Sequence, residues 1–112
     1  MEETNLPNGK VIRIVKNTES NSNFYIKLNS KELNLPLYVR TRKEGDKMIV
    51  KNMESPKKVK DIFINSKLSK EQRDSQPIVV DKEGNIVWIP GIKKSKFDKA
   101  KNENYDIILW YN

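Results

Sequence analysis

Short apolar runs alternate with polar residues along much of this chain, a pattern typical of β-strands. Between residues 35 and 42 the alternation is regular, so Leu35, Leu37, Val39 and Thr41 share one face and Tyr38, Arg40 and Arg42 the other. Similar runs predict strands at 11–15, 24–28, 78–80, 86–89 and 105–111. Turn residues at 44–46 predict that 47–50 returns as a hairpin partner, and those at 81–85 predict a second hairpin.

The hydrophobic period changes in the middle of the chain. Val59, Ile62 and Phe63 are spaced i, i+3 and i+4, which predicts one apolar stripe of a helix of about three turns. Ser55 and Pro56 are typical of a helix start, with serine as N-cap and proline in the first helical position. We expect the stripe to be buried under the sheet, alongside Val79 and Ile86.

Ser69 and Gln72 are three residues apart and predict a second short helix with a capping box. With the strands, the two helices indicate the α+β class: a strand-rich single domain over residues 1–112, a small mixed β-sandwich or sheet with a central helical insert. Residues 93–104 are predicted to form a polar loop. Trp88 is expected in the core, opposite Val87 and Ile89, and Trp110 with Tyr111 is expected to close the sheet.

Composition excludes several classes of function. The chain has no cysteine and no histidine, which removes thiolate chemistry, the commonest general base and the commonest metal ligands. No apolar run approaches the ~18 residues of a membrane span, and no signal peptide is recognisable. There is no glycine-rich nucleotide loop. We therefore expect no catalytic residue, metal site or cofactor site in this chain, and no binding or hydrolysis of ATP.

The net charge of +7 is concentrated in one third of the chain. Residues 40–73 carry eleven basic and five acidic residues, whereas the flanking segments are close to neutral. Such a patch attracts polyanions, although a lysine-rich solvated surface would give the same composition. Lys57 and Lys58 would stand at a helix N-terminus, where the helix dipole also favours a phosphate.

Three arginines of this segment could bind phosphate or pair with nearby carboxylates. Arg40 and Arg42, on one strand face, could bind adjacent phosphates or pair with Glu44 or Asp46. Arg73 is expected to form an internal ion pair with Asp74.

Four blocks of residues follow one another along the chain: Leu37-x-Val39-Arg40-x-Arg42-x-x-Gly45-Asp46, Lys57-Lys58-Val59-x-Asp61-x-Phe63-Ile64-x-x-Lys67, Arg73-Asp74-x-x-Pro77-Ile78-Val79-Val80 and Gly84-x-Ile86-x-Trp88-Ile89-Pro90-Gly91. In this order they resemble the C-terminal domain of bacterial tRNA(Ile)-lysidine synthetases. The resemblance covers roughly residues 35–95. It implies an α+β module that contacts the acceptor region of tRNA and belongs to a larger cytoplasmic enzyme.

In that family the larger enzyme is an ATP-dependent, magnesium-using ligase that joins lysine to the wobble cytidine of tRNA(Ile). Carried over by position, the resemblance implies tRNA-binding roles for Arg40, Arg42, Lys57, Lys58, Lys60 and Arg73. Two other classes stay open from the residues alone. One is a free-standing RNA- or DNA-binding module, and the other is a protein-docking domain whose lysines only provide solubility.

Overall fold

The computed structural model describes residues 3–112, which form ten strands, two helices and a single 3-10 turn. The strands are β1 (Glu3–Asn5), β2 (Val11–Val15), β3 (Tyr25–Leu28), β4 (Tyr38–Arg40), β5 (Lys47–Met48), β6 (Lys57–Lys58), β7 (Ile78–Val80), β8 (Ile86–Ile89), β9 (Lys93–Lys94) and β10 (Ile107–Tyr111). The helices are α1 (Val59–Asn65) and α2 (Lys70–Ser75), and the 3-10 turn is at Ser30–Glu32. The strand-rich α+β class is confirmed.

The strands form two four-stranded antiparallel sheets and one small hairpin. The outer sheet has the order β1-β2-β10-β3, the middle sheet has the order β4-β7-β8-β9, and β5 pairs with β6. The last strand, β10, lies between β2 and β3. Trp110 and Tyr111 therefore lie in the interior of the outer sheet and do not close its edge, because β10 pairs with β2 on one side and with β3 on the other.

The middle sheet is covered on both faces. Its face toward the outer sheet forms the sandwich core, made of Leu6, Ile12, Ile26, Leu28, Val79, Val87, Trp88, Leu109 and Tyr111. Its other face packs on α1 to form the helix core, made of Met48, Val59, Ile62, Phe63, Ile78, Val80, Ile86 and Ile89. The expected burial of the α1 stripe beside Ile86 is confirmed. Val79 is the exception, because its side chain points to the opposite face from Ile78 and Val80.

A register shift in β8 explains how two consecutive side chains enter the same core. Val79 pairs with Trp88, whereas Val80 pairs with Ile86, so Val87 is an extra residue on β8. Val87 and Trp88 then both face the sandwich core. The expectation that Trp88 is buried is confirmed, but its expected position opposite Val87 is wrong because strict alternation stops at the shift. The Trp88 indole N–H donates to the carbonyl of Asn23 at 3.1 Å.

The first helix starts later than the sequence pattern indicates. Residues 57–58 pair with β5, Lys47 opposite Lys58 and Met48 opposite Lys57, and this extended backbone delays the helix until Val59. The Val59 N–H then donates to the carbonyl of Asp46 at 2.9 Å. Ser55 and Pro56 therefore do not cap α1, which has seven residues. The same pairing shows that β5 is not the hairpin partner of β4.

Some of the other local expectations are confirmed and others are not. The Ser69–Gln72 capping box on α2 is confirmed, and so is the hairpin β7–β8. In that hairpin the Asp81 carboxylate accepts the backbone N–H groups of Glu83 and Asn85. The predicted loop at 93–104 begins with β9, which pairs with β8. The edge strand β1 was not expected, because its three residues have no apolar alternation.

Candidate nucleic-acid interface

A concave surface, the basic groove, lies where the β4–β5 turn, the β5–β6 hairpin, α1 and α2 meet. Its cavity volume is about 660 Å³. The lining residues are Arg42, Lys43, Glu44, Gly45, Asp46, Lys47, Lys58, Val59, Lys60, Lys70 and Arg73. Seven of these eleven are basic and two are acidic, so the groove carries most of the charge that the sequence concentrates in residues 40–73.

The hairpin β5–β6 brings two lysines to directly opposite positions. Lys47 pairs with Lys58 in the antiparallel register, and both line the groove. Like charges directly opposite on neighbouring strands repel each other and reduce stability. Neither lysine forms an ion pair within residues 3–112. This arrangement costs stability unless an anion lies between the two ammonium groups.

The two helices add Lys60 and Arg73 to the groove. The capping box at Ser69 fixes the start of α2, and the Arg73 N–H donates to the Ser69 carbonyl at 2.9 Å. The Arg73 Nε is buried, and it is the one such side-chain nitrogen or oxygen without a hydrogen-bond partner in the described chain. A buried donor without an acceptor costs about 1–3 kcal/mol. Arg73 is thus a cation of the groove with unused donor capacity.

Arg42 is held at the rim of the groove by Asp74. Its Nη2 and Nε donate to Asp74 Oδ1 at 2.6 and 3.1 Å, and the Lys70 Nζ donates to Asp74 Oδ2 at 3.0 Å. Hydrogen bonds from Lys70 and Arg42 hold the pKa of Asp74 below its ordinary value. The expected ion pair between Arg73 and Asp74 is therefore wrong. The Asp74 carboxylate pairs instead with Lys70 on its own helix and with Arg42 in the segment that follows β4.

Arg40 is engaged at the base of the β4–β5 turn. Its two terminal nitrogens each donate to an oxygen of Asp46 at 2.9 Å, and the Lys43 N–H donates to Asp46 at 2.7 Å. Burial by itself raises the pKa of Asp46, but the hydrogen bonds from Arg40 and from the Lys43 backbone outweigh it and leave the pKa lowered. Of the two interpretations of Arg40, the structure shows the pairing with Asp46.

Four of the six residues expected to contact nucleic acid lie together in the groove: Arg42, Lys58, Lys60 and Arg73. Arg40 and Lys57 do not line it. The expected position of Lys57 and Lys58 at a helix N-terminus is confirmed, because Lys58 is the N-cap residue of α1 and Lys57 precedes it, but both residues also belong to β6 and lie outside the helix itself.

Three lining cations were missed from the sequence: Lys43, Lys47 and Lys70. Lys43 and Lys47 flank the turn 44–46, and that turn signal could have indicated that they approach each other. Lys70 follows the N-cap of α2, and only the packing of α2 brings it to the groove.

Five groove cations have no ion-pair partner within the described residues. They are Lys43, Lys47, Lys58, Lys60 and Arg73. They come from the β4–β5 turn, the β5–β6 hairpin and both helices. Their convergence gives a surface suited to the oxygens of a polyanion.

A second group of lysines, the Asp98 cluster, has the opposite character. It consists of the buried Asp98 carboxylate, the ammonium groups of Lys51 and Lys94 at 2.6 and 3.5 Å from it, and the backbone N–H of Lys27 at 3.0 Å. Burial lowers the pKa of Lys94, and the nearby Asp98 only partly opposes this effect. This cluster fixes loop 95–99 against β3 and gives both lysines a carboxylate partner.

Within residues 3–112, no helix is long and apolar enough to cross a membrane. In the same part of the chain, no group of three or more histidine, cysteine or acidic side chains is arranged to hold a metal ion.

The fold and the basic groove define a small α+β module with a strongly cationic concave surface. The chain belongs to the family of TilS substrate C-terminal domains, whose model matches residues 37–110. This confirms the family resemblance of the four sequence blocks.

The relatives of this chain are longer proteins. The chain is 44% identical over 110 residues to tRNA(Ile)-lysidine synthase of Bacillus subtilis (strain 168), covering 95% of this chain and 23% of that protein. It is 43% identical over 114 residues to the tRNA(Ile)-lysidine synthase of Bacillus licheniformis, covering 98% of this chain and 24% of that protein. The chain thus spans about a quarter of the length of these relatives.

Two solved structures are also similar. A structure described as the crystal structure of the TILS C-terminal domain matches with a TM-score of 0.88 and 36% identity, over 98% of this chain and 88% of that one. An N-terminal fragment of the phenylalanyl-tRNA synthetase β-subunit from Pyrococcus horikoshii matches with a TM-score of 0.58 and 15% identity, over 89% of this chain and 28% of that one. The second likeness shows a shared fold alone.

Proposed function

We propose that this chain is the C-terminal, tRNA-binding domain of a tRNA(Ile)-lysidine synthase and that the basic groove holds the tRNA. The observation that carries the proposal is the pair Lys47 and Lys58, opposed across a hairpin without a carboxylate partner in the described chain. A fold selected for stability alone would not oppose two like charges there. Membership in the synthase family supports tRNA as the polyanion.

The groove binds the phosphate backbone, not the bases. Lysine ammonium groups act as compact point charges, and their contacts with phosphates fix position without reading sequence. Neutralising phosphates releases counterions, so binding is strong at low salt and weakens steeply as salt rises. Cations on several separate segments allow a number of phosphates along one strand to be held at once.

The groove cations have two roles in this proposal. Lys43, Lys47, Lys58, Lys60 and Arg73, which have no carboxylate partner in the described chain, contact phosphates. Arg42 and Lys70 share Asp74 and form the rim, where they add to the field and orient the RNA.

The two remaining residues that were carried over from the family act indirectly. Arg40 holds the β4–β5 turn in shape through Asp46, which positions Lys43 and Lys47. Lys57 pairs with Met48 and supports the register that places Lys58.

The remaining steps belong to the rest of the synthase. In this proposal that part of the protein uses ATP and magnesium to join lysine to the wobble cytidine of tRNA(Ile) in the cytoplasm. This domain carries out no chemistry itself and grips the acceptor region, away from the reacting base. Its effect is to hold the tRNA so that the anticodon reaches the catalytic part.

The double variant Lys58→Ala/Lys60→Ala tests the groove directly. We expect tRNA affinity to fall about tenfold at low salt, to a similar extent for different tRNAs. The plot of log affinity against log salt should flatten by roughly two, about one for each lost phosphate contact. The free energy of unfolding should stay within about 0.5 kcal/mol of the parent value, because relief of repulsion with Lys47 offsets other losses. Fluorescence titration and urea unfolding measure the two quantities.

Lys10→Ala/Lys16→Ala is the matched control, since these exposed lysines flank β2 on the outer sheet. It removes the same charge and should leave the salt slope nearly unchanged. An unaltered slope in the groove variant, or an equal loss in the control, would show that the tRNA binds elsewhere or only through net charge.

A further inference from the structure

A second concave surface, the apolar groove, opens at the edge of the sandwich between β2 of the outer sheet and β4 of the middle sheet. Its cavity volume is about 400 Å³. The floor includes Ile12, Val79 and Leu109, which belong to the sandwich core. An apolar side chain placed in this groove would therefore continue the core of the domain.

The rim of the apolar groove exposes large aliphatic side chains. Ile14, Leu35 and Val39 are 44%, 45% and 37% exposed and line the same groove from both sheets. Adjacent apolar side chains that stay in water mark surfaces where a protein partner docks. Both sheet edges at this end, β1 and β4, also have a free side along which another strand could pair.

The charge of the apolar groove does not suit RNA. Glu3 is the one charged residue in its lining, and that carboxylate already accepts the Arg13 Nε at 2.8 Å. One third of the whole chain is charged, with a net charge of +7, so a surface without a lining cation is exceptional for this protein. The occupant that fits is an apolar protein segment.

The position of β1 identifies which protein segment is nearest. Under the proposed function, on which this inference rests, the chain is the C-terminal part of a synthase about four times as long. The preceding polypeptide then enters the domain through β1, and Glu3 and Thr4 of β1 line the apolar groove. A segment tethered at the rim has a high effective concentration there. We propose that the apolar groove docks an apolar segment of the preceding part of the synthase and fixes this domain relative to it.

Backbone hydrogen exchange in the full-length synthase and in this chain alone tests the docking. The isolated chain is a suitable reference, because a related C-terminal domain of similar extent has been crystallised. The backbone N–H groups of residues 11–15 and 37–40 should exchange about tenfold or more slowly in the full-length protein. Ile14→Gln/Leu35→Gln in the full-length protein should return these residues to the rates of the isolated chain.

Met53→Gln/Ile64→Gln is the matched control, since these side chains are 54% and 52% exposed and lie outside the groove. It should leave the slow exchange in place. Equal exchange in the two proteins overturns the proposal, as does an equal effect of the control variant. Protection that appears in the isolated chain with dimer formation in sedimentation would assign the groove to a second copy. Protection that requires tRNA would assign it to RNA. Both of these results also overturn the proposal.

The two proposals fail separately. Ile14→Gln/Leu35→Gln in the isolated chain should leave tRNA affinity and its salt slope unchanged. Failure of the proposed function would instead be seen with Lys58→Ala/Lys60→Ala, whatever the exchange rates at the apolar groove.

Discussion

The Asp98 cluster and the basic groove both bring lysines together from distant parts of the chain, yet they handle the charge in opposite ways. In the Asp98 cluster, Lys51 and Lys94 surround a buried carboxylate, and the pKa of Lys94 is lowered by burial. In the basic groove, Lys47 opposes Lys58 and neither forms an ion pair with a carboxylate of the described chain. Lysines paired with a buried carboxylate serve the fold, whereas unpaired lysines on a concave surface are available to a ligand. The number of lysines does not distinguish the two cases; their partners do.

The largest expected effect comes from removing the support of the basic groove. Phe63 is a residue of α1 and is fully buried in the helix core, whereas Lys60 of the same helix lines the basic groove. Phe63→Ala should lower the free energy of unfolding by ~3–5 kcal/mol, a large share of the stability of a domain this small. Thermal unfolding should show a decrease of many degrees in Tm, and tRNA binding should be lost at temperatures where α1 has opened. A variant that melts within a few degrees of the parent would show that α1 does not pack as described.

The second effect separates stability from binding. Asp98→Asn keeps an oxygen for the Lys27 N–H but leaves Lys51 and Lys94 without their counter-charge. We expect a loss of about 2 kcal/mol, typical of a buried partner removed from a charged hydrogen bond. Affinity for tRNA, measured well below the unfolding temperature, should be unchanged. A fall in affinity as large as in the lysine variants of the basic groove would mean that the two clusters are not independent.

The third effect comes from an aspartate-to-asparagine change in the basic groove. Asp46→Asn removes the charge that Arg40 binds and also removes one negative charge from the groove lining. We expect a loss of about 1 kcal/mol of stability at neutral pH. The asparagine oxygen still accepts a hydrogen bond and keeps the turn in shape, so removal of the negative charge should tighten tRNA binding. The pKa of Asp46 is lowered in the folded protein, so its contribution is present above the unfolded pKa of about 4 and disappears as pH falls through the lower folded value. Urea unfolding at neutral and acidic pH should show the parent and the variant converging in acid.

Asp61→Asn serves as the control for Asp46→Asn. Asp61 is exposed on α1, outside the lining of the basic groove, and its substitution changes the net charge by the same amount. Equal gains in tRNA affinity from both variants would show that net charge, and not the groove, governs binding.

Sequence patterns predicted the elements correctly where the hydrogen bonds that define an element join residues a few positions apart. The Ser69–Gln72 box and the Asp81 turn act over a few residues, and both were predicted correctly. The start of α1 was not, because pairing between β5 and β6 overrides the cap signal at Ser55 and Pro56. The extra residue at Val87 likewise depends on the register with β7, which no pattern within β8 reveals.

The basic groove was predictable in location but not in composition. Charge density pointed to residues 40–73, and four of the six residues carried over from the family line the groove. Which of these cations form an ion pair with a carboxylate was not predictable, because ion pairs depend on neighbours in the folded structure. Arg40 meets Asp46 across a turn, and Arg42 meets Asp74 from a helix 32 residues away. Lys47 and Lys70 joined the groove through strand pairing and helix packing.

The extra residue at Val87 also has an optical consequence. With Trp88 turned toward the outer sheet, one indole is fully buried between the two sheets, whereas Trp110 is half-buried on the far side of the outer sheet beside Arg13 and Tyr25. The emission of Trp88 therefore reports the entry of water between the sheets, and that of Trp110 reports events on the outer surface. The protein carries two natural fluorophores, each of which monitors a different side of the same sheet.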